Sequence, residues 1–124
     1  MNRILVVAAL LTLASIPLAA QVDAAPPTGP ETEITGQVID VSCQTMGVSG
    51  LSHKQCAQAC AKAGVPLAIH ATDGIIYIPV SSKPGEAQNS RLIALVESKV
   101  KVRGIHRLAN GLHTIEIKSV VATR

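Results

Sequence analysis

Apolar and polar positions fall into three regimes along the chain. Residues 4–18 form an almost unbroken apolar run behind the single charge of Arg3. Residues 21–33 are rich in Pro, Ala, Thr and Glu and show no apolar periodicity. From Ile34 onward, short patterned segments alternate with turn residues. Ile34-Thr35-Gly36-Gln37-Val38-Ile39-Asp40-Val41 alternates apolar with small or polar residues, which predicts a half-buried strand. Beyond Gly47-Val48-Ser49-Gly50, the stretch Ser52-His53-Lys54-Gln55 has the form of a capping box, with Ser52 as N-cap. It opens an alanine-rich helix over residues 56–63, which Gly64 and Pro66 end.

Two short strands follow, residues 67–71 and 75–80, turned by Thr72-Asp73-Gly74. Pro79 marks the end of the second strand or places it at an edge. Residues 81–88 read as a polar loop. Leu92, Ile93, Leu95 and Val96 then give residues 90–98 the pattern of a second short helix. Strands over residues 100–107 and 113–121 close the chain around Asn110-Gly111, a strong hairpin signal. Both alternate cleanly, so each has one wet face.

The resulting order is strand, helix, strand, strand, helix, strand, strand. This is a mainly β, α+β pattern whose connectivity is that of an OB-fold, a five-stranded, partly open barrel. An extra helix is inserted between the first and second strands. The domain is expected over residues 34–124, behind a flexible leader at residues 21–33.

The opening segment changes the context of that domain. Arg3, the apolar run and the small residues of Leu18-Ala19-Ala20 match a secretory signal peptide over residues 1–20; Val22-Asp23-Ala24 offers an alternative cleavage point. A membrane-spanning helix needs about 20 apolar residues. This run is shorter and broken by Pro17, so no stable membrane anchor is expected. A lipoprotein would carry cysteine after the small pair, where Gln21 stands. The expected location is periplasmic or secreted.

Charge and composition exclude one class of partner. The formal net charge is +3, and loss of Arg3 with the signal leaves +2. Lys and Arg are scattered, and Tyr77 is the single aromatic residue. Without stacking platforms or a basic tract, no nucleic-acid partner is expected. A domain this small has a marginal core, which a disulfide or a metal would supplement.

Candidate chemistry lies in Cys43, His53, Cys56 and Cys60, which spell C-x9-H-x2-C-x3-C. On a helix, His53, Cys56 and Cys60 share one face, and the Gly-rich loop can fold Cys43 back over it. Three thiolates and an imidazole are the ligand set of a closed tetrahedral site for Zn or Cu ions. Met46 offers Cu(I) a further soft ligand or serves as apolar filler. Two other readings stand beside this one. Exported proteins form disulfides, so Cys43 can pair with Cys56 or Cys60, leaving one odd thiol. Alternatively, the helix cysteines are buried as small hydrophobes.

Other motifs are negative. Cys56-Ala57-Gln58-Ala59-Cys60 is not C-x-x-C, and no nucleophile elbow is present. His106 and His113 flank the Asn110-Gly111 turn and can face each other across the hairpin, which is ordinarily a solvated position. Asp40 and Asp73 have no carboxylate partner at a spacing that suggests acid–base work. No catalysis is expected.

Residues 36–80 resemble small exported bacterial OB-fold-like proteins with a strand ending in Asp-x-x-Cys, then His-x-x-Cys-Ala-x-x-Cys, then Gly-x-Pro. Those positions are Asp40, Cys43, His53, Cys56, Ala57, Cys60, Gly64 and Pro66. The resemblance implies that the Cys/His set belongs together. The expectation is therefore an exported thiophilic-metal-binding protein, for carriage, sensing or structure. The alternatives are a disulfide-stabilised interaction module whose barrel face holds a small ligand or another exported protein, and a thiol-redox protein.

Overall fold

A computed structural model describes residues 29–124 of the chain. The expected signal peptide and most of the expected leader lie outside the described residues. Five strands, β1 (Glu31–Asp40), β2 (Leu67–Ala71), β3 (Ile76–Pro79), β4 (Lys99–Ala109) and β5 (Leu112–Ala122), form a hydrogen-bonded ring in the order β1-β2-β3-β5-β4. Neighbours are antiparallel except β3 and β5, which run parallel and share just two paired positions, Ile78 with Thr114 and Pro79 with Ile115. The β2–β3 and β3–β5 pairings are the two short ones in the ring. The architecture is the expected mainly β, OB-like one.

β1 closes the ring by pairing twice. Its first half pairs with β4 and its second with β2, both registers meeting at Gly36 and Gln37. A Cβ at Gly36 would collide with the backbone carbonyl of His70, so glycine is what lets the strands approach there. β1 begins at Glu31, three residues before the expected start, because Glu31–Glu33 pair with Arg103–Ile105. Inward-facing Ile34, Val38, Leu67, Ile69, Tyr77, Val100, Val102, Ile115 and Ile117 form the core with Leu92 and Val96. The charged positions Lys101 and Arg103 of β4 face out, as the alternation predicts.

The β4–β5 hairpin turns in two residues, with Asn110 at φ 53° and Gly111 at φ 79°, the positive pair that a type I′ turn needs. Between β3 and β4 the second expected helix is shorter than its pattern, one α-turn (α3, Asn89–Leu92) continued as a 3-10 turn over Ile93–Leu95. It stops at Leu95 because Val96 turns extended, at φ −57° and ψ 140°.

The insertion between β1 and β2 carries two helices. α1 (Val41–Thr45) was not expected; Asp40 caps it, accepting a hydrogen bond from the Cys43 amide at 2.9 Å. α2 (Lys54–Lys62) follows a 3-10 turn over Leu51–His53. The capping box does not form: Ser52 lies inside the 3-10 turn, which starts from Gly50 at φ 101° with no side-chain cap. α2 packs on the barrel through Ala57 and Ala61, both buried. Its far end is pinned by Asn89, which donates to the carbonyls of Ala61 and Val65 and accepts from the Leu67 amide.

Candidate metal centre

The end of β1 and the length of α2 bring three potential ligands together. One carboxylate oxygen of Asp40, Cys43 Sγ and Cys60 Sγ all lie within 4.8 Å of one another. Each position follows from local structure. Asp40 ends β1 and is buried by its pairing opposite Leu67. Cys43 is turned back over Asp40 by the single turn of α1. Cys60 sits one residue before Ala61, about 100° around the helix from the stripe that packs on the barrel.

Asp40 is 1% exposed. Its Oδ1 accepts from the Cys43 amide, while Oδ2 is buried with no donor among the described residues. An unsatisfied buried polar atom costs about 1–3 kcal/mol, and more if charged. Burial also pushes the Cys43 thiol up, and the adjacent Asp40 carboxylate adds to the effect. Cys60 is pushed up to about 11, first by burial and then by the Cys56 thiol beside it, with Asp40 and Cys43 adding less. A concentration of acceptor and thiol groups that oppose each other's ionisation is what a cation would relieve.

The set fits a tetrahedral ion. Bonds of about 2.0–2.3 Å to oxygen and sulfur hold ligand atoms roughly 3.5–3.8 Å apart. Atoms already within 4.8 Å of one another reach that spacing by side-chain adjustments of about 1 Å.

Of the residues expected from sequence, Cys43 and Cys60 belong to this group. Cys56 neighbours Cys60 one helical turn earlier, but it is exposed and outside the group of three. His53 is also outside it: its Nδ1 lies 3.2 Å from Glu97 Oε1. Met46 is 67% exposed at the end of α1. Cys56 exposed and Cys60 half-buried do not fit the reading of both as inert core residues.

Asp40 is not among the ligands expected from sequence, where it has no carboxylate partner for acid–base work. The Asp-x-x-Cys spacing was the available signal, since it is the geometry of a helix cap that sets carboxylate and thiol side by side. Glu97 had no sequence signal at all.

The two histidines of the hairpin do meet. His106 Nε2 and His113 Nδ1 are 3.1 Å apart, with ring planes within 4° and Tyr77 edge-on to both. One proton between two nitrogens satisfies the pair as a hydrogen bond. Among the described residues no helix is long and apolar enough to cross a membrane.

Comparison of the chain with protein-family models, with curated proteins and with solved structures finds no match in any of the three.

Proposed function

We propose that the protein is an exported metal-binding protein, holding one thiophilic divalent ion between Asp40, Cys43 and Cys60 with Cys56 as the fourth ligand. The observation that carries this reading is Asp40, a buried carboxylate with no donor to its Oδ2 among the described residues and with one oxygen within 4.8 Å of two thiol sulfurs. His53 is left out of the ligand set because neither of its ring nitrogens joins the group formed by Asp40, Cys43 and Cys60. The oxygen ligand also bears on the choice of metal. Zn(II) accepts carboxylate together with thiolate, whereas Cu(I) is selected by sulfur alone, so zinc is favoured over copper.

The burial gradient suits carriage or sensing better than a sealed structural role. Asp40 and Cys43 are buried, Cys60 is half-buried and Cys56 is exposed, so the ion is reached from the Cys56 side. No reaction is assigned to the site.

Cobalt substitution tests the proposal. Co(II) added to the reduced protein should give a tetrahedral spectrum with sulfur-to-cobalt charge transfer, abolished by Cys43→Ala and by Cys60→Ala. A spectrum indistinguishable from that of aqueous cobalt would reject the site.

A further inference from the structure

One buried carboxylate ties together the two arms that carry the proposed ligands. The Glu97 side chain is 1% exposed. Its Oε2 accepts from the Gly50 backbone N–H at 2.8 Å and from Gln37 Nε2 at 2.7 Å, and Oε1 lies 3.2 Å from His53 Nδ1. A carboxylate offers acceptors, so Nδ1 is the ring nitrogen that carries the proton.

The backbone here makes the same link. The Glu97 N–H donates to the Val38 carbonyl at 2.8 Å, and the Val38 N–H donates to the Ser98 carbonyl at 3.1 Å. Lys54 Nζ, at the start of α2, donates to Ser98 Oγ at 3.1 Å. Two residues beyond Val38 stands Asp40, followed by α1 with Cys43. Two residues beyond Lys54 stands Cys56, and one turn further Cys60. Both arms of the site therefore leave from one post at residues 97–98.

The residue on that post is costly to keep. Glu97 sits at φ 61°, a conformation that glycine enters freely and that strains a residue with a side chain. Glutamate in that position is explained by what its carboxylate holds. Strain kept in place by several surrounding contacts is characteristic of functional sites.

We propose that Glu97 is a positioning residue for the metal centre, fixing the separation of the Asp40/Cys43 arm and the Cys56/Cys60 arm through Gln37, Gly50 and His53. This rests on the metal-binding reading above. Glu97 acts on the ion from outside its ligand set and through residues that are not themselves ligands, so its removal should cost about tenfold in affinity, the lower end of what direct partners of metal ligands contribute.

The test titrates Zn(II) into the reduced full chain against a chromophoric chelator, at a temperature where every variant is folded. Glu97→Gly relieves the backbone while removing the carboxylate; Glu97→Gln keeps the shape and one acceptor oxygen. Val102→Ala, in the barrel core, serves as a destabilised control. The expected result is a loss of about tenfold for Glu97→Gly, a smaller loss for Glu97→Gln, and unchanged affinity for Val102→Ala despite its lower unfolding midpoint. Wild-type affinity in Glu97→Gly, or an equal loss in Val102→Ala, would overturn the assignment. Wild-type protein that takes up no zinc would overturn the metal reading itself, an outcome distinguished before any variant is compared.

Discussion

Asp40 serves Cys43 with one oxygen and leaves the other buried and undonated: Oδ1 accepts the Cys43 amide at 2.9 Å, and Oδ2 has no donor among the described residues. The cap and the proposed ligand are thus different atoms of one side chain, and they separate by mutation. Asn caps a helix as well as Asp does. Asp40→Asn should change unfolding stability by about 1 kcal/mol or less, while weakening zinc binding by about tenfold or more. Calorimetric titration beside thermal unfolding reads both. Loss of stability with unchanged zinc affinity would leave Asp40 as a cap and nothing more.

The three cysteines should not react alike. In the metal-free protein at mildly alkaline pH, Cys56 should be alkylated first, because it is exposed. Cys43 and Cys60 should lag, being more buried and raised in pKa, since the thiolate is the nucleophile. Zinc should then protect all three, the otherwise fast-reacting Cys56 included. Mass-spectrometric mapping of the label at successive times checks the order, and uniform labelling would contradict the burial gradient.

Glu116 sets an acid limit on the hairpin. Its carboxyl is held below the usual range chiefly by the hydrogen bond from Lys118 at 2.7 Å, with Arg107 at 2.9 Å and Ser82 adding, against the opposing effect of burial. A carboxylate with a lowered folded pKa contributes stability that is present above its unfolded pKa and lost as pH falls through the folded one. Both cationic partners are partly solvated, so the contribution is about 1 kcal/mol or less. Glu116→Gln should lower the unfolding midpoint at pH 7 and flatten its decline below pH about 4.5. Parallel midpoint curves for the two proteins would refute this.

Gly36 should be intolerant of any side chain. A Cβ there meets the His70 carbonyl where β1 passes from β4 to β2. Gly36→Ala should cost about 1–3 kcal/mol by overpacking, measured by urea unfolding. A neutral effect would mean that the strands can separate at this point.

Much of the fold was legible because its signals are local. Asn110-Gly111 predicts the hairpin from backbone geometry alone, and the alternation of Val100, Val102, Ile115 and Ile117 predicts the inward faces. The helix over residues 56–63 was readable from its alanines and from Gly64. What escaped was set by contacts distant in sequence. The 3-10 turn displaces the Ser52 cap because the Gly50 amide is held by Glu97, 47 residues away. The site was half legible for the same reason. Cysteine spacing identifies Cys43 and Cys60, but the helical face expected for His53, Cys56 and Cys60 does not reveal that the His53 ring lies against Glu97 and outside the group of three. Nor does the sequence reveal that burial leaves Asp40 with a free oxygen.

The proposed site has Asp40, Cys43, Cys56 and Cys60 holding one metal ion. Elemental analysis with thiol counting, on protein purified from the exporting compartment without chelator, tests it most directly. Close to one equivalent of zinc per chain is expected, with three thiols that become fully alkylatable once the metal is chelated. No bound metal, with one disulfide and a single free thiol indifferent to chelators, would contradict it and leave the disulfide-stabilised interaction module in its place.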